Sequence, residues 1–179
     1  FDECWVPDFA DDANLSGKLG HPKKFEIPVK YIGALSRLEQ KETASSYDIM
    51  VLLSGPEPQR TELEEIFMHE LKHYKGQVLF VRGVVEAEQK VTRKEQVKIV
   101  NFMETEDLQN AICSSDLVIC RSGYTTIMDL FKLGKKAFFI PTPGQTEQEY
   151  LAKRLHSMGI VPYKDQEKIS LKDLSKVKV

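Results

Sequence analysis

The chain has 179 residues, enough for one domain with a sizeable core and too few for two full ones. Hydrophobic residues at 41% and charged residues at 29% give an ordinary globular balance, with no apolar run long enough to span a bilayer. The formal net charge of −2 excludes a broad electrostatic surface for nucleic acid, which needs a basic face.

The segment Phe1 to Asp8 mixes apolar and acidic residues and reads as a strand or the tail of an earlier domain. It opens in mid-pattern on Phe1 and carries no signal peptide, so the sequence reads as a piece of something longer. Trp5 is expected to pack against a neighbour. Residues Phe9 to Lys24 are rich in Asp, Gly and Asn and form a linker signature. A short extended run, Val29 to Ile32, ends at Gly33. Residues 1–40 are therefore read as the end of a preceding lobe and its linker, and residues 41–179 as the main domain.

From Tyr47 the pattern becomes regular. Ile49 to Leu53 is a continuous apolar run, as expected for a strand buried on both faces. A helix follows from Gln59 to Tyr74, with Leu63, Ile66, Phe67, Leu71 and Tyr74 on one face. Val78 to Val81 and Lys98 to Val100 are strands, separated by a charged loop or hairpin from Glu86 to Gln96. A helix fits Thr105 to Cys113, with Thr105 as its N-cap. Leu117 to Ile119 is a strand, Gly123 to Leu133 a helix, Ala137 to Ile140 a strand, and Glu147 to Met158 a helix. Ser170 to Val179 starts a further helix. Strand and helix alternate over short connections, which predicts an α/β fold: a doubly wound parallel sheet with helices on both faces.

In such sheets, ligands bind outside the carboxyl ends of the strands, so the loops after strands matter most. In the loop Arg121-Ser122-Gly123, Ser122 can cap the next helix and Gly123 allows close backbone approach. The amides of Tyr124, Thr125 and Thr126 are first-turn donors that suit a diphosphate. Asp129, on the second turn, can accept hydrogen bonds from ribose hydroxyls. Gln145, Glu147, Gln148 and Glu149 stand at the entrance to another helix, where such side chains suit sugar hydroxyls. Ser54 and Gly55 begin a stiff, proline-containing loop that is neither a Walker A loop nor GxGxxG. On spacing alone, each of these loops is also compatible with an ordinary turn or capped helix.

The three cysteines form no disulfide framework; Cys113 and Cys120 read as small core residues, and the chain reads as cytoplasmic. His69-Glu70-Leu71-Lys72-His73 matches the HExxH zinc motif; Leu79 stands where the extended motif wants a third His, Glu86 or Glu88 remains open as a downstream ligand, and the helix runs straight into a buried strand. A solvated helix face is the preferred reading, and no metal site is expected.

Taken together, Ser115 to Gly123, Thr126, Asp129, Gly134 to Ala137 and Ile140-Pro141 resemble the C-terminal domain of MurG-like glycosyltransferases, glycosyltransferase family 28. The resemblance runs from about Asp48 to Gly159 and implies a Rossmann-like lobe of a GT-B fold. It implies a domain that binds a nucleotide-sugar donor, a UDP-sugar above all, in an inverting, metal-independent hexosyltransferase. MurG itself transfers N-acetylglucosamine from its UDP form to a lipid-linked acceptor.

By position, the resemblance puts the backbone at Phe102 and Met103 on the uracil. Arg121, Ser122, Gly123, Tyr124, Thr125 and Thr126 fall at the diphosphate, Asp129 at the ribose, and Gln148 and Glu149 at the sugar. Asp129 replaces a family Glu, Glu149 a second Gln, and Pro56-Glu57-Pro58 breaks the Gly pattern after Ser54 and Gly55. No cofactor is implied beyond the UDP-sugar substrate. The acceptor, a sugar or lipid-linked sugar, the general base and any peripheral contact with the inner face of a membrane belong to the N-terminal lobe. Isolated from that lobe, the domain is expected to bind donor and transfer nothing. Alternatives are a UDP-sugar 2-epimerase, a non-catalytic donor-binding subunit with a separate acceptor-binding partner, a zinc hydrolase, and a doubly wound module without nucleotide.

Overall fold

The structure, a computed structural model, describes residues 1–174. Its centre is a six-stranded sheet in the order β5-β6-β4-β3-β7-β8. The strands are β3 (Tyr47–Leu52), β4 (Val78–Val81), β5 (Val91–Lys94), β6 (Val97–Val100), β7 (Ser115–Cys120) and β8 (Ala137–Phe139). All neighbours pair in parallel except β5, which runs antiparallel to β6 at one edge. The charged stretch from Glu86 to Gln96 thus resolves into a hairpin arm whose strand is exposed along its length.

The helices are α1 (Gln59–Glu70), α2 (Thr105–Cys113), α3 (Tyr124–Lys132), α4 (Thr146–Ser157) and the short α5 (Leu171–Leu174). Strand side chains alternate between the two faces of the sheet. Met50, Leu79, Val118 and Phe139 share one apolar cluster with Ala111 of α2, Met128 of α3 and Leu151 of α4. Ile49, Val51, Phe80, Ile119 and Phe138 share the other with Leu63 and Phe67 of α1 and Leu174 of α5. Burial on both faces explains why the central strands read as unbroken apolar runs. The doubly wound α/β reading therefore holds.

Local differences have simple causes. The helix expected to reach Tyr74 leaves α-geometry after Glu70 and tightens into a 3-10 turn over Leu71–His73. Thr105 is the first helical residue of α2, and Glu104, with extended backbone, takes the N-cap position. Of the helix expected from Ser170 to Val179, the described part is α5, and the rest lies outside the described residues. No described helix is long and apolar enough to cross a membrane.

Residues 1–40 lie against this sheet domain. β1 (Cys4–Val6) and β2 (Val29–Tyr31) form a small parallel pair. Between them the chain packs on α3 and α4. Leu15 joins the first apolar cluster, Lys18 N donates to Tyr150 Oη at 2.9 Å, and Arg154 Nη2 donates to Asn14 O at 2.8 Å. Gly17 is needed here: it holds φ +54°, and a Cβ would lie 2.2 Å from Tyr150 Oη. Trp5, by contrast, is 60% exposed, with its indole N–H donating to Glu3 and Lys30 Nζ 5.5 Å from its ring. It stands on a two-stranded ribbon whose outer side no described element covers, so the expected packing is replaced by these local contacts.

The loop between β1 and β2 is organised by one carboxylate. Asp8 is fully buried and accepts from the amides of Phe9, Leu15 and Ser16 at 2.8, 2.9 and 2.8 Å, and from the Ser16 hydroxyl. His21 Nε2 sits 3.5 Å from it, its ring stacked on Tyr31. Burial alone would raise the Asp8 pKa, but the Ser16 hydroxyl and the three amides outweigh it, and the net direction is downward from 3.8. A carboxyl depressed in the fold stabilises it above its unfolded pKa, and that contribution is lost as pH falls through the lower folded value. Asp8→Ala is expected to cost about 3 kcal/mol in urea denaturation at neutral pH. The gap to wild type should narrow below about pH 3.8. A variant as stable as wild type at neutral pH would show that the carboxylate does not hold this loop.

Candidate functional site

The sheet order contains a switch point. From β3, the chain leaves to α1 on one face; from β7, the neighbouring strand, it leaves to α3 on the other. The loops after β3 and β7 therefore diverge and open a crevice at the carboxyl edge of the sheet, the ligand position of doubly wound folds. Ser54 and Gly55 follow β3 on one side, and Gly123 opens α3 on the other.

Gly123 is the N-cap of α3, and no described side chain caps the helix. Its φ of −72° is open to any residue, and a Cβ built there would meet nothing within 4 Å. Open space therefore lies beside Gly123 at the entrance of α3, the end at which the first-turn amides are free of intrahelical partners and the helix dipole is positive. Ser122, expected as a possible cap, is instead fully buried, and its hydroxyl donates to Gln148 O at 2.8 Å. It ties the β7–α3 loop to α4. The Tyr124 phenol donates to Pro7 O at 2.7 Å, so its side chain serves the N-terminal segment while its amide stays at the helix entrance.

Arg121 is the largest departure from the sequence reading. The sequence places it at a diphosphate, yet its side chain is 2% exposed and turned beneath the loops. The guanidinium donates to Ile140 O at 3.1 Å, Pro141 O at 3.3 Å, Gln59 O at 3.0 Å and Gln166 Oε1 at 2.7 Å, with a longer contact to Ser54 O at 3.5 Å. The five donors of the fork thus meet neutral oxygens on the segments after β3 and β8 and on residue 166. Burial lowers its pKa to about 10, so it remains a cation at neutral pH. Arg121 acts on the crevice through its charge and by holding the loops, not by direct reach.

Asp129 lies on the second turn of α3, half-buried, and its Oδ1 accepts from the Ser36 hydroxyl at 2.6 Å. Gln148 accepts the Thr142 amide at 2.9 Å and donates to Gln145 Oε1 at 2.6 Å, while Glu149 accepts the Gly144 amide at 3.0 Å. Both side chains fold back onto the β8–α4 loop. They stand one turn into α4, and Gln148 still has a second N–H and a second lone pair for a ligand. Glu149 also lines a cavity of about 290 Å³ with Pro143, Lys153 and Asp165.

At the β6–α2 loop, Phe102 has both backbone groups engaged. Its N–H donates to Asn101 Oδ1 at 3.0 Å, and its carbonyl accepts from Gln89 Nε2 at 2.9 Å. Met103, next in the chain, is half-buried at the margin of the first apolar cluster. Opposite, Gly55 holds φ +106°, a backbone that residues with a Cβ rarely adopt, and Thr142 Oγ1 would lie 3.4 Å from a Cβ there. The Thr142 hydroxyl is buried and has no partner among the described residues.

The HExxH residues are elsewhere. His69 and His73 are exposed, the 3-10 turn breaks their helical spacing, and Glu70 accepts the Leu171 amide at 2.9 Å. Among the described residues no three His, Cys, Asp or Glu side chains converge as a metal site. Cys113 and Cys120 are buried in the core, and burial pushes the Cys120 thiol up to about 12.

Residues 59–178 match the glycosyltransferase family 28 C-terminal domain. The chain belongs to that family. A UDP-N-acetylglucosamine--N-acetylmuramyl-(pentapeptide) pyrophosphoryl-undecaprenol N-acetylglucosamine transferase from Histophilus somni (strain 129Pt) is 32% identical over 85 residues, 47% of this chain and 23% of that protein. The enzyme of the same name from Haemophilus ducreyi is 25% identical over 139 residues, 74% of this chain and 38% of that protein. Among solved structures, Acinetobacter baumannii MurG aligns with a TM-score of 0.57 at 19% identity, over 87% of this chain and 48% of that one. The glycotransferase of kitacinnamycin aligns with a TM-score of 0.59 at 15% identity, over 91% and 44%. The chain thus spans less than half the length of each of these proteins. The resemblance to MurG-like domains holds for family and fold, and the family match supports a glycosyltransferase rather than an epimerase.

Sequence reading missed Ser36, which lies before the matched family 28 residues and reaches Asp129 across 93 residues, and no local signal marks it. It also missed the inward course of Arg121, although an Arg directly after the apolar run Leu117-Val118-Ile119-Cys120 was a hint. Replacing Arg121 by Met leaves its carbonyl partners without a donor and is expected to cost about 3 kcal/mol of stability. Arg121→Lys should recover only part, because an ammonium cannot span the same acceptors. Urea melts of the three proteins check this; equal midpoints would remove the brace from the account.

Proposed function

We propose that the chain is the donor-binding domain of an inverting, metal-independent hexosyltransferase that uses a UDP-sugar. The observation that carries this reading is the uncapped N-terminus of α3, with open space beside Gly123, at the switch point of the sheet. First-turn amides and the helix dipole favour a diphosphate there. Arg121 adds a positive charge beneath the same loops, bonded only to neutral oxygens. Both sources of positive potential are fixed before the reaction and stabilise the diphosphate as it leaves, the part a metal plays in other enzymes.

The remaining positions follow from this placement. Asp129 receives the ribose. Gln148 and Glu149, at the start of α4, receive the sugar, and an ionised Glu149 in place of an amide offers acceptors and no donor. The base is read at Met103, because the Phe102 backbone groups already have protein partners. Direct displacement at the anomeric carbon inverts it and needs a general base, which we assign to an N-terminal lobe. That lobe would also choose the acceptor, a sugar or lipid-linked sugar, and make any contact with the cytoplasmic face of a membrane. The names of the relatives, with a UDP-N-acetylglucosamine donor and an undecaprenol-linked acceptor, support a UDP-sugar donor.

Calorimetric titration of the chain with UDP and UDP-N-acetylglucosamine should give measurable heats; none at millimolar ligand would refute donor binding. Asp129→Ala is expected to weaken UDP about tenfold, the worth of one hydrogen bond to a charged group. In Gln148→Ala, UDP-N-acetylglucosamine should lose affinity while UDP keeps most of its own. Equal losses for both ligands would place Gln148 in the scaffold alone.

A further inference from the structure

The segment between β2 and β3 runs over α3 and α2 as a strap, fixed at three nearby residues. Leu38 is 1% exposed and belongs to the same apolar cluster as Met128 of α3 and Ala111 of α2. The Glu39 amide donates to Gln109 Oε1 on α2 at 2.9 Å, and Gln109 is itself buried. Between these anchors and the start of the strap, Ser36 donates to Asp129 Oδ1 at 2.6 Å.

The serine hydroxyl is fully specified. Its oxygen accepts the Leu38 amide at 2.9 Å, so its single proton is left for Asp129. A carboxylate held at one oxygen has its plane and rotamer set, and its other oxygen is left for a ligand. Helical side chains lean toward the N-terminus, so the Asp129 carboxylate points back along α3 toward the first-turn amides.

We propose that Ser36 is a positioning residue for ribose recognition: it fixes the Asp129 carboxylate so that the free oxygen accepts from the 2′-hydroxyl of the donor nucleotide. The inference rests on the donor-site reading and deepens it. Because the strap is anchored by Leu38 and Glu39, the serine carries little entropy into the pair, and Asp129 pays no ordering cost when the nucleotide arrives.

The test compares UDP with 2′-deoxyuridine diphosphate, by calorimetry, on the wild-type chain, Ser36→Ala, Ser36→Thr, Asp129→Ala and the Ser36→Ala/Asp129→Ala double variant. Wild type should prefer UDP about tenfold. Ser36→Ala should reduce that preference to about threefold or less, by weakening UDP with the deoxy nucleotide unchanged, and Ser36→Thr should restore it. In the Asp129→Ala background, Ser36→Ala should add no further loss, since the two act as one unit. An equal loss for both nucleotides in Ser36→Ala, or an unchanged preference, overturns the role of Ser36 while donor binding stands. A wild type that binds both nucleotides equally removes the ribose contact and with it this inference. Binding of neither nucleotide overturns the donor site as a whole.

Discussion

The buried guanidinium of Arg121 is the interaction on which the crevice depends. It follows the last residue of β7 and reaches back under three separate stretches of chain: Ser54 and Gln59 after β3, Ile140 and Pro141 after β8, and Gln166 near the end of the described chain. Loops at a strand edge have few ladder hydrogen bonds of their own, and their carbonyls would otherwise need water. One rigid fork satisfies them together and sets the spacing between the two sides of the crevice. None of its hydrogen-bond partners is a carboxylate, so its charge is not cancelled locally. A low-dielectric interior transmits that charge to the opening above more effectively than water would. A single residue thus braces the loops and adds a positive charge beneath them.

The N-terminal segment contributes from the other side. Asp8 gathers the loop between β1 and β2, and the loop then meets α3 and α4 at the helices that bear the candidate ligand contacts. Pro7 takes the Tyr124 phenol, and Arg154 holds Asn14. Further on, Ser36 takes Asp129. The entrance of α3 is therefore flanked on one side by residues 1–40. Any movement of this segment would be felt at the first and second turns of α3.

The alternation of strand and helix was legible because both faces of the sheet are covered. Ile49 to Leu53 and Val78 to Val81 could only be apolar throughout if each alternate side chain met a different layer. The corner from Arg121 to Asp129 was legible in position, as an ordered loop after a buried strand. Element ends were less so: Thr105 against Glu104, or the 3-10 turn after Glu70, differ by amounts that local propensity does not resolve. Trp5 shows another limit, since a large apolar side chain is buried only if the fold brings a layer over it.

By itself, the sequence determined the layer architecture, the strand-end loops and the family, because these follow from periodicity and from the spacing of residues close in the chain. Tertiary structure decided which atoms of the candidate residues are available. Ser122 looked like a cap and is a tie to Gln148; Arg121 looked like a ligand contact and is a buried brace; Asp129 was read as an acceptor and already holds the Ser36 hydroxyl. Each of these depends on a hydrogen-bond partner 19 to 93 residues away in the chain. Buried polar groups must be satisfied by whatever the fold brings near, and no local pattern records which group that will be.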